Sequence, residues 1–99
     1  MLNSLFAPIE INGLRLKNRI ISTAHAPAYG DNGMPCERYQ RYHEEKARGG
    51  LAMTMFGGSS PISTDSPASF GQLDLSRDAV VPHFQKFSDR IHALDCALI

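Results

Sequence analysis

Two points along the chain gather the residue types from which a site can be built. At the first, the apolar pair Ile20-Ile21 runs into Ser22-Thr23-Ala24 and stops at His25, with Ala26 beyond it. At the second, an apolar run over residues 51–56 closes on Phe56 and is followed by Gly57-Gly58. Small residues at the end of an apolar run leave the backbone bare, and bare backbone can approach a ligand closely. The loop after His25 carries Pro27, Gly30, Asp31, Asn32 and Gly33, with Tyr29 among them at a candidate substrate mouth. Each feature also has a plain reading. His25 can be a packed histidine bonded to a carbonyl, Phe56 simple packing, Tyr29 a surface ring, and the glycine pair a turn.

Other chemistries find little support. Ser59, Ser60 and Ser63 have no paired base in view, which argues against a serine nucleophile. Gly57-Gly58 is not a GxGxxG, and no phosphate loop occurs. Cys36 and Cys96 form no CxxC and lack ligand spacing to a histidine pair. No metal is therefore expected on this chain, and idle or buried thiols in a reducing cytoplasm are. His43, His83 and His92 fall in helical stretches, where surface or boundary places are expected. Ten Lys and Arg balance ten Asp and Glu, so no basic surplus exists for nucleic acid or a membrane surface. The start, MLNSLF, lacks the basic and apolar regions of a signal peptide. No apolar run approaches the about 18 residues that span a bilayer.

The elements that must position these residues follow from pattern. In APIEINGLRLKN, Ile9 and Ile11 alternate with Glu10, and Leu14 and Leu16 with Arg15, around Asn12-Gly13. That dipeptide tolerates positive φ at both turn positions and predicts a β-hairpin with one apolar face to cover. Residues 19–24 read as a strand buried on both faces. PCERYQRYHEEKARGG predicts a helix, with Pro35 in its first turn and Gly49-Gly50 as its stop. Tyr39, Tyr42, His43 and Ala47 share one side of it, and Glu37–Arg41 and Glu44–Arg48 are i,i+4 pairs in the favourable order. Residues 51–56 form the next strand, with Met53 and Met55 as core. Strand, helix and strand with short joins make a βαβ unit, hence a parallel pair. Residues 57–77 look structureless, which in a compact domain points to function or disorder. Val80, Phe84, Phe87, Ile91 and Leu94 then mark an amphipathic helix, with Pro82 in its first turn. The final CALI opens another apolar run.

The fold class is α/β: an N-terminal hairpin, two full parallel strands, two helices and the start of a third strand, in one incomplete domain of 99 residues. So few parallel strands cannot cover their own faces, so a fragment of a larger sheet or barrel is expected. The competing possibility is a small stand-alone binding or scaffold module that pairs with itself.

LFAPIEINGLRLKNRI, YHEEKARGGLAM and VVPHFQKFSDRIHALDCALI together resemble the N-terminal part of the old yellow enzyme family of NADH:flavin oxidoreductases. Leu16-Lys17-Asn18-Arg19 and Ala47-Arg48-Gly49-Gly50 are the most specific pieces, and the resemblance covers essentially the whole chain. It implies the N-terminal portion of an FMN-binding (β/α)₈ TIM barrel, a fold of about 250 residues. The hairpin would plug the barrel bottom. The strand ends would meet the flavin through Thr23, Ala24, His25, Ala26, Phe56 and Gly57.

In the trimethylamine dehydrogenase branch a histidine matches His25 and an aromatic matches Phe56. A cysteine joined to the flavin matches Ala26, which cannot form that bond, so FMN is expected to be held non-covalently. The family often has proline where Ala24 stands. An aromatic wall at Phe56, with Tyr29, would suit an N-methylated cation; reduction of an activated alkene is the plainer alternative. The resemblance further implies a small-molecule substrate, and NAD(P)H as electron donor or an iron–sulfur cluster outside this chain. It implies contact with the remainder of the barrel, and homo-oligomers are conceivable. The substrate-gripping groups of the family lie downstream, so no catalytic residue is assigned here. The 99 residues alone are expected to be inactive and to hold FMN weakly or not at all.

Overall fold

In a computed structural model, which describes residues 3–99, the turn dipeptide decides the first sheet. Strand β1 (Ile9–Ile11) pairs antiparallel with β2 (Leu14–Leu16), Ile9 opposite Leu16 and Ile11 opposite Leu14. Asn12 and Gly13 take φ values of 46° and 86°, the left-handed pair a two-residue hairpin turn demands. The expected apolar face is only partly covered. Leu16 is buried with Ile9 beside it, whereas Ile11 and Leu14 next to the turn stay exposed. A single helical turn, α1 (Asn3–Phe6), precedes the hairpin; four residues are too few to carry a helical period in the sequence.

The remainder runs β3 (Ile21–Ser22), α2 (Glu37–Arg48), β4 (Met53–Thr54), α3 (Val80–His92) and β5 (Ala97–Leu98). The sheet order is β3-β4-β5, parallel throughout. Ile21, Met53 and Ala97 lie in register on one face, and Ser22, Thr54 and Leu98 on the other. Both helices cover the second face. Lys46 Nζ donates to Ser22 Oγ at 2.9 Å, His43 Nδ1 lies 2.7 Å from Thr54 Oγ1, and Leu98 packs on the main core of Tyr39, Ala47, Leu73, Phe87, Ile91 and Cys96. The first face receives the hairpin, whose Leu16 and Ile9 meet Met53, Met55 and Ala97. β3 is an edge strand, so Ile21 is 42% exposed rather than buried on both faces.

On α2, Tyr39, His43 and Ala47 recur every four residues and all point inward. His43 is therefore fully buried, not at the surface as its polarity suggested. Pro35 stands just before the helix, whose N-cap is Cys36. Both i,i+4 ion pairs form, at 2.8 and 2.7 Å, and contribute little individually. Arg90 on α3 places two 2.8 Å hydrogen bonds on the Glu37 carboxylate. Those bonds, and then one from Arg41, hold the Glu37 carboxyl down at about 2. The stretch over residues 57–79 is ordered. Leu73 reaches the main core, Gly30 N–H donates to Gly71 O at 2.8 Å, and Asp74 N–H donates to Gly33 O at 2.8 Å.

The hairpin marks one pole of the sheet. Asn18, 8% exposed, donates from Nδ2 to Gly50 O at 2.8 Å and accepts from Ile20 N–H at 3.0 Å. It thereby ties the hairpin exit to the loop that feeds β4. The radius of gyration is 14.5 Å and the extents are 47 × 22 × 22 Å. A closed globule of this length measures about 13 Å. The molecule is elongated, with both helices on one face of its sheet and the hairpin against the other.

Candidate functional site

Parallel neighbours end at the same pole, so β3 and β4 deliver their C-terminal ends together, opposite the hairpin. The contact between them is backbone on backbone. A Cβ added to Gly58 would lie 2.5 Å from His25 C, 2.6 Å from His25 Cα and 2.7 Å from Ala26 N. The two points singled out in the sequence thus touch on one rim. Thr23, Ala24 and Ala26 are exposed there. The N–H groups of residues 23–26 find no acceptor among the described residues. Below the rim, buried Gly57 donates its N–H to Tyr39 Oη at 2.7 Å. Tyr39 is 1% exposed, and burial pushes its phenol up, which keeps it protonated. Its ring stands edge-on to Phe87, centroids 5.8 Å apart, so the helix layer props the strand end from behind.

His25 is half-buried and both ring nitrogens are engaged. Nδ1 lies 3.1 Å from Thr23 O, and Nε2 meets Tyr42 Oη. Phe56 turns its ring onto Phe84 of α3, centroids 4.8 Å apart, and its N–H donates to Ile99 O at 2.8 Å. Tyr29 lies edge-on to Tyr42 at 5.5 Å, with the Arg38 guanidinium 3.9 Å over its ring. The rim therefore unites Thr23, Ala24, His25 and Ala26 with Gly58, and Gly57 lies buried just beneath it. The rings of Phe56 and Tyr29 pack into the outer, helical layer instead of standing over the rim. Tyr39 and Tyr42 went unassigned in the sequence, although their places on α2 beside His43 were the available signal.

His43 packs among Tyr39, Tyr42 and Phe87, with ring centroids 5.2, 5.2 and 5.3 Å away, and its Nε2 has no partner among the described residues. Burial, then the nearby Lys46 and His25 charges, lower it to about 4. The unfolded chain binds this proton near the ordinary histidine value of about 6.5, whereas the folded chain refuses it until about 4. Stability is therefore full above about pH 6.5 and is lost as pH falls toward 4, by up to about 3 kcal/mol. Denaturant unfolding followed across that window should show the loss, and His43→Phe should flatten it.

A cleft of about 580 Å³ lies elsewhere, between residues 63–77 and the turn at residues 30–33. No rim residue lines it, and its Arg77 is engaged by Asn32 O and Asp74. The rim itself is an open shelf, since a sheet of three strands encloses nothing.

Residues 4–99 match the model of the NADH:flavin oxidoreductase / NADH oxidase family. The chain belongs to this family. It is 58% identical over 95 residues to the multifunctional alkene reductase/demethylase OYE of Caballeronia cordobensis, covering 96% of this chain and 14% of that protein. It is 49% identical over 92 residues to the N,N-dimethylglycine/sarcosine dehydrogenase of Chromohalobacter salexigens, covering 91% of this chain and 13% of that one. Among solved structures, 2-naphthoyl-CoA reductase in complex with 2-naphthoyl-CoA superposes with a TM-score of 0.89 at 26% identity, over 100% of this chain and 16% of that one. The chain thus spans about a seventh of these curated relatives, and its fold is a fragment of a TIM barrel. Membership of the NADH:flavin oxidoreductase / NADH oxidase family favours an oxidoreductase segment over a self-pairing module and implies flavin. The rim suits such a group: Ala24 and Ala26 carry small side chains, the N–H groups of residues 23–26 have no acceptor among the described residues, and a Cβ at Gly58 would fill the contact.

Proposed function

We propose that this chain supplies one wall of the flavin site in an FMN-dependent oxidoreductase. Its small-molecule reaction is oxidative demethylation of an N-methylated amine or betaine, or reduction of an activated alkene. The observation that carries the proposal is the shared rim of residues 23–26 and Gly57-Gly58 at the C-terminal pole, where barrel enzymes keep their sites. The names of the relatives, with both a demethylase and an alkene reductase among them, support the two reactions.

FMN supplies the hydride chemistry when bound. The residues here bind and orient it. N–H groups of Thr23, Ala24, His25 and Ala26 act as donors toward an electron-rich ring edge, and alanine side chains let a flat ring come close. Gly57, fixed by Tyr39, and Gly58 complete the wall. Ala26 carries no thiol, so the flavin is held without a covalent bond. Cys36 and Cys96 are free among the described residues, and Cys96 is buried; a cytoplasmic setting is part of the same proposal. NAD(P)H serves as donor in the reductase direction. In the dehydrogenase direction an iron–sulfur cluster, if one is held outside this chain, would serve as electron acceptor.

Anaerobic bleaching of the flavin in the full-length enzyme distinguishes these. Bleaching by N-methylated amino acids indicates demethylation. Bleaching by NAD(P)H with recovery on adding an enoate indicates alkene reduction. A flavin that responds to neither class would overturn the assignment. Because Phe56 packs on Phe84, Phe56→Ala should cost about 3 kcal/mol of stability. Steady-state kinetics of that variant should show equal losses for cationic and neutral substrates; a selective loss for cations would restore Phe56 to the substrate wall.

A further inference from the structure

Helix α2 offers a phenol to the strand end from behind. The Tyr42 ring stands edge-on to both His25 and His43, centroids 5.5 and 5.2 Å away. Its Oη meets His25 Nε2, and the other imidazole nitrogen, Nδ1, faces Thr23 O at 3.1 Å. A carbonyl only accepts, so Nδ1 carries the proton, and in the neutral ring Nε2 must accept from the Tyr42 hydroxyl. The imidazole is pinned at both ends, one to the helix and one to its own strand end. Tyr42 is itself fixed. Tyr29 stands edge-on at 5.5 Å, and Lys46 Nζ sits 4.4 Å over the Tyr42 ring while donating to Ser22 Oγ.

The geometry points to Tyr42 as a positioning residue of the flavin site, acting through His25. By donating to Nε2, Tyr42 anchors the imidazole whose Nδ1–H closes on Thr23 O, and so steadies the Thr23–His25 closure and the course of the backbone at residues 24–26. This rests on the flavin reading above. Simple packing would be served as well by phenylalanine as by tyrosine, whereas anchoring the imidazole through Nε2 needs the hydroxyl.

The test is Tyr42→Phe, which keeps the ring and deletes Oη, made in the full-length enzyme alone and together with His25→Ala. The single variant should fold as wild type by circular dichroism, bind FMN about tenfold more weakly and shift the visible flavin spectrum. Added to His25→Ala, the same change should have no further effect. Nitrogen-15 NMR of labelled histidines gives a second readout that needs no flavin: the unprotonated Nε2 of His25 should show the upfield shift of a hydrogen-bond acceptor in wild type and lose it in Tyr42→Phe. Unchanged FMN affinity in Tyr42→Phe, an equal loss in both backgrounds, or an unaltered Nε2 shift would each overturn the inference. A wild-type enzyme that purifies without flavin and takes up none would instead overturn the flavin reading, and it shows before any variant is made.

Discussion

Replacement of Gly58 by valine should abolish FMN binding in the full-length enzyme. The atoms that a Cβ would meet, His25 C at 2.5 Å and His25 Cα at 2.6 Å, are backbone and cannot swing aside as a side-chain tip can. Gly58 also sits at a φ of 117°, which side-chain-bearing residues rarely adopt. Overpacking and backbone strain together cost about 3–5 kcal/mol. The strand ends can relieve that only by parting, which removes the surface the flavin rests on. FMN affinity should fall by at least about a hundredfold, read by flavin titration. Gly13→Ala is the control. Gly13 also has a positive φ, 86°, but nothing lies within 4 Å of its added Cβ and it stands at the opposite pole. It should cost about 1 kcal/mol and leave FMN affinity unchanged.

Phe87→Ala should give the largest loss of folding stability among truncations of the aromatic core. Phe87 is 0% exposed, and its ring lies 5.8, 5.3 and 6.1 Å from those of Tyr39, His43 and Phe84. Truncation removes transfer energy and leaves a cavity between rigid rings that cannot collapse into it, at about 3–5 kcal/mol. Tyr39 then loses its backing, and with it the firm acceptor for Gly57 N–H, so weaker FMN binding should accompany the lower melting temperature. Phe70→Ala, at a ring 84% exposed, should change stability by less than about 0.5 kcal/mol. Similar losses in both variants would remove the aromatic cluster from its supporting role.

Much of this architecture was legible because it rests on local rules. Asn12-Gly13 determined the hairpin, the Val80-to-Leu94 stripe determined α3, and short joins between apolar runs determined the parallel pair. The two most specific pieces of the resemblance, at residues 16–19 and 47–50, prove to be joined by the Asn18–Gly50 hydrogen bond. What escaped depended on which side of the sheet the helices cover. Alternation places Phe56 with Thr54 and opposite Met53 and Met55, but it cannot say which set faces the helices. Once α2 and α3 cover Thr54, Phe56 falls toward Phe84. His43 escaped through its polarity, although its spacing from Tyr39 and Ala47 was that of a buried face. The bond from Tyr42 to His25 joins residues 17 apart through a loop, a distance no periodicity spans.

The most direct test of the shared rim is a crystal structure of the full-length enzyme with FMN bound. The flavin ring should lie against both strand ends at once, within hydrogen-bond reach of N–H groups at residues 23–26 and in van der Waals contact with Gly57-Gly58. A flavin seated away from these segments, with residues 23–26 facing solvent or another part of the protein, would contradict the assignment.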